Sequence, residues 1–240
     1  MPPAHWGLAG TIVWGVLISL AFVLVQTVTM FAVVGYGGVD VPGDDLEQIV
    51  AAASDHGLVV AISTFVTALV CGALIIFAIV VKKGAVVRGY LAMRPVAWKT
   101  LLHWLAILAA VLLASDLLSL ALGRPVVPDV MITLYASADP VWLLWAALLV
   151  AAPLFEELMF RGFVFRGMET SVLGPMWTIF VTTLAWAAVH VQYDFYGMAL
   201  VFAVGIILGF ARWRTGSILV PIALHSAANL VAIFQTMLVG

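Results

Sequence analysis

Two adjacent glutamates, Glu156 and Glu157, stand inside an apolar stretch that begins near Val141 and carries no other charge before Arg161. A charged side chain in the middle of a membrane helix costs roughly 2.5–3.5 kcal/mol on insertion scales. Two like charges side by side add their mutual repulsion to that cost. Residues kept under such conditions are candidates for function, so this pair constrains the fold and the chemistry of the chain more than any other feature.

The arginine four residues after Glu157 predicts different surroundings for the two glutamates. In a helix of about 3.6 residues per turn, Glu157 and Arg161 share one face and can pair, whereas Glu156 points about 100° away. One carboxylate is then held in an ion pair while the other is free for chemistry. The alternative is a structural ion pair that only fixes helix packing, but this alternative does not explain the second glutamate.

The composition of the chain is that of a membrane protein. Of its 240 residues, 65% are hydrophobic and only 9% are charged, whereas a soluble domain is about half apolar and about a quarter charged. The net charge of −2 gives no indication of nucleic-acid binding. The single cysteine, Cys71, excludes a disulfide framework and a cysteine-based metal site. We therefore predict a multi-pass integral membrane protein surrounded by the lipid bilayer.

Seven apolar segments reach or approach the length of about 20 residues that a membrane-spanning helix needs. They predict an all-α fold, a polytopic transmembrane helix bundle of about seven spans in a single domain, 1–240. In the sixth segment Gly205 and Gly209 form a pair of small residues one turn apart, which predicts close helix packing. The predicted spans are 8–34, 58–81, 97–121, 141–165, 175–191, 196–213 and 217–238.

The charges in the loops predict the orientation of these spans. The loop from Gly35 to Gly57 contains five acidic residues and no Lys or Arg, whereas the loop from Lys82 to Lys99 contains five basic residues. Basic loops remain in the cytoplasm. We therefore expect the N-terminus inside and the C-terminus outside, in a bacterial plasma membrane. The first apolar run is too long for the core of a signal peptide, so we expect it to be a retained span.

Three further polar residues lie in otherwise apolar helices. His190 follows Trp186 by one turn, and His225 and Asn229 are four residues apart on one helical face. A lone histidine in a membrane helix is more often a hydrogen-bonded packing residue. At a rise of about 1.5 Å per residue, however, all of these side chains and Glu156 reach similar depths, with His190 the farthest along its helix. We therefore predict that they converge on one site.

The order and spacing of these motifs resemble those of the CPBP intramembrane proteases, a group that includes the CAAX prenyl endopeptidases and the Abi bacteriocin-processing or bacteriocin-immunity proteins. The resemblance covers about residues 145–235 and rests on Glu-Glu-x-x-x-Arg, on an aromatic residue four positions before His190, and on His-x-x-x-Asn. Trp186 departs from the family, which usually has Phe there. Well-known members of the family have eight spans, so a bundle of eight spans instead of seven remains an alternative.

The resemblance implies an intramembrane endopeptidase whose catalytic core lies within 141–238 and whose substrate is a membrane-embedded peptide or protein, prenylated or not. Glu156 would be the general base that activates a water, assisted by His190. The His-x-x-x-Asn pair would stabilise the oxyanion, and the Glu-Arg pair would support the geometry. The catalytic residues that the resemblance implies are Glu156, Glu157, Arg161, His190, His225 and Asn229.

Three alternatives to this interpretation remain. One is a transporter, because intramembrane acids also mark ion paths, although the acids cluster in one helix and no inverted repeat is visible. Glu156, His190 and His225 could bind zinc and leave one position for a water, although the chain has no His-Glu-x-x-His motif. Without that metal we expect no cofactor. The same fold could also serve as a non-catalytic membrane scaffold or as a bacteriocin-immunity protein. The sequence names neither the substrate nor the oligomeric state.

Overall fold

The computed structural model describes residues 4–36 and 39–239, and within these ranges all regular structure is helical. Residues 1–3, 37–38 and 240, which the predicted domain includes, lie outside the described part of the chain. The helices are α1 (Leu8–Gly35), α2 (Leu46–Ser54), α3 (Gly57–Val80), α4 (Val87–Tyr90), α5 (Trp98–Ala121), α6 (Asp129–Ser137), α7 (Val141–Glu169), α8 (Gly174–Ala188), α9 (Phe195–Thr215) and α10 (Leu219–Val239).

The prediction of a helical membrane bundle is confirmed, but the count of seven or eight spans is not. Among the described residues, six helices are long and apolar enough to cross a membrane, namely α1, α3, α5, α7, α9 and α10. The predicted span 175–191 is helix α8, which has only 15 residues. At about 1.5 Å per residue it extends about 22 Å, less than the roughly 30 Å of the hydrocarbon core.

Besides the four-residue α4, two short helices, α2 and α6, lie where the sequence predicts only loops. Asp45 caps α2, because its carboxylate accepts a hydrogen bond from the backbone N–H of Gln48 at 2.9 Å. Helix α6 contacts the start of α3, where the N–H of Gly57 donates to Ser137 Oγ at 2.9 Å. Each has nine residues, too few for the long apolar run by which a span is recognised in a sequence.

Helix α7 carries both glutamates and is not a regular α-helix. Two of its stretches, Ala147–Ala151 and Leu158–Val164, have π-helical hydrogen bonding, and they flank Glu156 and Glu157. The wider turn shifts the backbone pairing and leaves a carbonyl group for another partner, and such turns are frequent at functional sites. The glutamates therefore lie on one regular turn between two irregular ones.

Both irregular turns of α7 are bound by side chains of neighbouring helices. The carbonyl of Leu148 accepts a hydrogen bond from Asn229 Nδ2 at 2.7 Å, and the carbonyl of Arg161 accepts one from Arg212 Nε at 2.9 Å. Asn229 belongs to α10 and Arg212 to α9. Buried backbone carbonyls need such partners, so these two bonds connect α7 to the helices on which it packs.

The close packing predicted for the two glycines of α9 is confirmed. A Cβ atom at Gly205 would lie 2.7 Å from Cγ2 of Thr183, and one at Gly209 would lie 2.8 Å from Cγ2 of Ile179. Real Cβ atoms do not approach other atoms so closely, so only glycine lets α9 lie this near to α8. This approach places the backbone of Gly205 beside the charged residues of α7.

Candidate active site

Glu157 and Arg161 form a fully buried ion pair, as the sequence predicts. Both side chains are 0% exposed, and Arg161 Nη1 donates to Glu157 Oε1 at 3.0 Å. Arg161 Nη2 donates to the carbonyl of Gly205 at 3.2 Å, and the guanidinium lies 4.6 Å from the centre of the Trp186 ring. A buried charge is tolerated when it is paired and hydrogen-bonded. These contacts satisfy both terminal nitrogens of the guanidinium, whereas its Nε has no partner within the described ranges.

His225 joins this buried pair to Glu156. Its Nδ1 lies 3.0 Å from Glu157 Oε1, so the Nδ1–H group donates to that carboxylate. Its Nε2 then faces Glu156, 4.0 Å from Oε2. This distance is too long for a direct hydrogen bond, but it suits one oxygen atom that contacts both groups. A water molecule or a substrate oxygen is of that size.

Glu156 is the more exposed of the two carboxylates, with 22% of its side chain accessible. Trp186 Nε1 donates to its Oε2 at 2.5 Å. The family usually has Phe at the position of Trp186, and Phe has no N–H group. The departure noted in the sequence therefore adds a hydrogen-bond donor directly to the carboxylate.

His190 lies at the edge of this group, just beyond the end of α8. Its Nδ1 is 2.8 Å from the carbonyl of Trp186 and its ring meets the indole edge to face at 4.9 Å. Within the described residues, no hydrogen bond or ion pair joins His190 to either glutamate. The Nδ1 contact leaves Nε2 as the acceptor of the neutral ring, so His190 adjoins Glu156 through the indole between them.

Asn229 lies one turn after His225 on α10 and is half-buried. Its Nδ2 donates to the carbonyl of Leu148 at the first irregular turn of α7. The amide nitrogen carries two hydrogens, so one remains for another acceptor. The structure thus brings Glu156, Glu157, Arg161 and His225 into one contact network, and it leaves His190 and Asn229 at the border of that network.

Three residues of this region were not among the predicted site residues: Trp186 as a donor, Arg212 and Tyr193. Arg212 is 3% exposed, and its spacing of two helical turns from Gly205 could have placed it on the packed face of α9. The Tyr193 ring lies parallel to that of His190, with 6.2 Å between ring centres. Burial raises the pKa of Tyr193, and the negative charge of Glu156 raises it further.

The three side chains that the sequence offers as zinc ligands, Glu156, His190 and His225, do not converge on one point. In the ranges 4–36 and 39–239, no cluster of three or more His, Cys, Asp and Glu side chains could hold a metal ion. Glu156 and His225 face each other, but His190 contacts neither of them by a hydrogen bond or an ion pair within these ranges. We therefore derive no chemical step through a metal.

Comparison with known proteins identifies a relative that matches about half of the chain. A curated Escherichia coli protein, described as an uncharacterized 24.3 kDa protein, is 35% identical over 126 residues, which is 51% of this chain and 58% of that protein. The matched region is thus little more than half the length of that relative. No solved structure matches the chain.

A family model described as Rce1-like, type II CAAX prenyl endopeptidase Rce1-like, matches residues 138–231. This range includes all six residues that the sequence motifs single out, from Glu156 to Asn229. The match confirms the resemblance noted in the sequence: residues 138–231 are similar to the CAAX protease family.

Proposed function

We propose that the protein is an intramembrane endopeptidase that hydrolyses a peptide bond of a membrane-associated peptide or protein. The match of residues 138–231 to the Rce1-like family supports protease activity in general, and the intramembrane site and its residue roles are our proposal. The observation that carries it is the approach of Glu156 and His225 to 4.0 Å, beside a second glutamate whose Oε1 is bound by both Arg161 and His225. This geometry supports a reactive carboxylate next to a structural one.

In the proposed mechanism Glu156 is the general base. It takes a proton from a water molecule whose oxygen bonds to the carbonyl carbon of the substrate, and the electron pair of the C=O bond moves to the carbonyl oxygen. When the C–N bond breaks, the protonated Glu156 returns the proton to the leaving nitrogen. The hydrogen bond from Trp186 holds Oε2 in place for both transfers.

His225 stabilises the oxyanion in this mechanism. When both ring nitrogens carry protons, Nε2 donates to the oxyanion while Nδ1 donates to the Glu157 carboxylate. The second hydrogen of Asn229 Nδ2 is the other donor. Removal of one oxyanion donor typically lowers the rate by about 10²–10³. The ion pair of Glu157 with Arg161 supports this geometry and does not touch the substrate.

His190 assists Glu156 by positioning the water through Nε2. Catalytic hydrogen bonds are often long in a substrate-free enzyme and shorten only in the substrate complex. His190 follows the end of a short helix, so a small change at this end of α8 could bring its ring closer to the water. We further propose a plasma-membrane location with the basic loop Lys82–Lys99 in the cytoplasm.

The proposed function is tested by comparing membrane peptides from cells that produce the wild type and the Glu156→Gln variant. Peptides cleaved only in wild-type cells identify the substrate, and a fluorogenic peptide built on that site then serves for purified protein. We expect cleavage by the wild type and only background cleavage by Glu156→Gln. Full activity of the variant, or no difference between the two peptide sets, would refute the assignment.

The zinc-dependent alternative is tested on the same purified protein. We expect that a chelator leaves the activity unchanged and that the metal content is well below one zinc per chain. A stoichiometric zinc that is lost in both His190→Ala and His225→Ala would keep the protease assignment and overturn the metal-free mechanism.

A further inference from the structure

The N-terminal helices α1 and α3, which lie outside the matched range 138–231, form a second wall next to Glu156. A cavity of about 60 Å³ lies between α1, α3 and α7 and has Glu156 in its lining. A cavity needs roughly 10–15 Å³ to hold one water molecule, so this one has room for more than one. Its other polar lining residues are Gln26, Thr64 and Thr67.

A larger cavity of about 260 Å³ lies next to the first one along α1 and α3, and Gln26 lines both. It lies at the end of the bundle that carries α2, where Ser54 and Thr27 are exposed. Ser63 of α3 lines it deeper in the bundle. The two cavities together therefore extend from the α2 end of the bundle to Glu156.

Gln26 and Thr67 meet where the two cavities adjoin. Thr67 Oγ1 donates to Gln26 Oε1 at 3.3 Å, and Thr67 is 1% exposed. One turn before it, Ser63 is 5% exposed, and its hydroxyl has no hydrogen-bond partner within the described ranges. A buried hydroxyl without a partner is unfavourable, and water in the adjoining cavity would satisfy it.

The chemistry of the walls favours water over the other molecules that could occupy the cavities. The polar groups other than Glu156 are neutral amide and hydroxyl groups, which donate and accept hydrogen bonds but carry no charge. An acyl chain would leave them unpaired, which is costly in an apolar environment. Phe22 and Phe155 stack with 5.7 Å between their ring centres and form the apolar side of the inner cavity.

We propose that these two cavities form a water path from the α2 end of the bundle to Glu156, with the Gln26–Thr67 pair at its narrowest point. The inference rests on the proposed function, because hydrolysis consumes one water per bond and the surrounding hydrocarbon supplies none. The N-terminal helices then deliver water, the second substrate of the reaction, while the matched segment 138–231 holds the catalytic residues.

The first test measures water access without measuring activity. Single cysteines replace Thr64 or Val66 in a Cys71→Ser background, in the full chain reconstituted in lipid vesicles, and each is titrated with Ag⁺, a small hydrated cation that reacts with thiolates. Val66 is the control, because it lies on the same helix two residues away, is 36% exposed and lines neither cavity. We expect Thr64→Cys to react several-fold faster than Val66→Cys. An equal or slower rate would overturn the path.

Gln26→Leu then tests whether Gln26 controls passage. It should slow the reaction of Thr64→Cys with Ag⁺ but leave that of Ser63→Cys, which lines the outer cavity, unchanged. If both rates or neither rate changed, Gln26 would not lie at the narrowest point.

The second test measures peptide cleavage. Gln26→Leu should lower kcat by about tenfold, the effect of one neutral hydrogen bond, and leave KM unchanged. Gln26→Asn should restore most of the rate, and the lipid-facing control Leu24→Ala should match the wild type. A rise in KM at unchanged kcat would mean that the cavities bind peptide, and it would overturn the water path.

The failure of this proposal is distinguishable from failure of the proposed function. Fast labelling of Thr64→Cys together with full activity of Glu156→Gln would keep the path and remove the protease mechanism. Slow labelling together with an inactive Glu156→Gln would keep the mechanism and remove the path.

Discussion

Two neighbouring carboxylates on α7 have opposite surroundings. Glu157 is fully buried and bonded to Arg161 and His225, whereas Glu156 is 22% exposed, lines a cavity and is bonded to Trp186. The helix rotates about 100° from one residue to the next, which is enough to direct one side chain into the bundle and the other to its polar cavities. A single turn can therefore hold a structural charge and a reactive charge in adjacent positions.

Because of this difference, we expect substitutions at the two glutamates to affect different properties, the free energy of unfolding at Glu157 and the catalytic rate at Glu156. On the Glu157 side each charge is compensated by the others, so the loss of one partner leaves an uncompensated buried charge. On the Glu156 side the contacts are few and partly accessible to water. Substitutions on the first side should act mainly on the free energy of unfolding, and substitutions on the second side mainly on catalysis.

The largest effect on stability should come from Glu157→Gln. The variant leaves the guanidinium of Arg161 buried without a counter-charge, which typically costs about 3–5 kcal/mol. Unfolding of the purified protein in detergent measures it. Glu169→Gln on the same helix is the matched control, since its pair with Arg166 is partly exposed and such pairs contribute about 0–1 kcal/mol. Equal stability of the two variants would mean that Glu157 is not structural.

His225→Ala should affect both stability and rate, because this ring contacts both carboxylates. It removes a partner of Glu157 and one oxyanion donor, so we expect a rate lower by about 10²–10³ together with a lower unfolding free energy. In His225→Asn the amide nitrogen can replace Nδ1 beside Glu157. We expect that variant to recover stability but not rate; recovery of both would show that Nε2 has no part in catalysis.

Trp186→Phe should have a smaller effect, confined to the Glu156 side. It restores the residue usual in the family and removes the hydrogen bond to Glu156. We expect kcat to fall by about tenfold, as for the loss of one hydrogen bond, with little change in stability because the aromatic ring beneath Arg161 remains. Trp177→Phe, at an exposed position of α8, is the control. A kcat equal to that of the wild type would show that the indole N–H is dispensable.

The smallest effect on activity should come from surface cysteines, which report how the protein is oriented in the membrane. Asp44→Cys and Arg88→Cys, each in a Cys71→Ser background, should be labelled by an impermeant reagent from opposite sides of the membrane and should retain full activity. Helix α2 and the entrance of the proposed water path lie on the side of the membrane where the acidic loop with Asp44 lies. Labelling of both cysteines from the outside would contradict the predicted orientation.

The sequence predicts most of the fold because long apolar runs determine where helices cross the bilayer. It misses α2, α4 and α6 because each is too short to show such a run. It also predicts a full span where α8 lies. The apolar segment on which that prediction rests extends to Val191, whereas the helix ends at Ala188. The end of a helix depends on local backbone geometry, which hydropathy does not report.

The predicted contacts within α7 also follow from local geometry. Glu157 and Arg161 are four residues apart, so helical spacing alone predicts their ion pair. The bonds of Asn229 to Leu148 and of Trp186 to Glu156 instead depend on the π-helical turns and on how α8 and α10 pack against α7. No spacing along the chain indicates these contacts, and the same holds for the approach of Gln26 to Thr67.

The most direct test of the division between the two carboxylates is a paired measurement on Glu156→Gln. The substitution keeps the shape of the side chain and its acceptor oxygen for Trp186 but removes the base. We predict peptide cleavage at background and an unfolding free energy equal to that of the wild type. Full activity, or a loss of stability as large as that of Glu157→Gln, would contradict it.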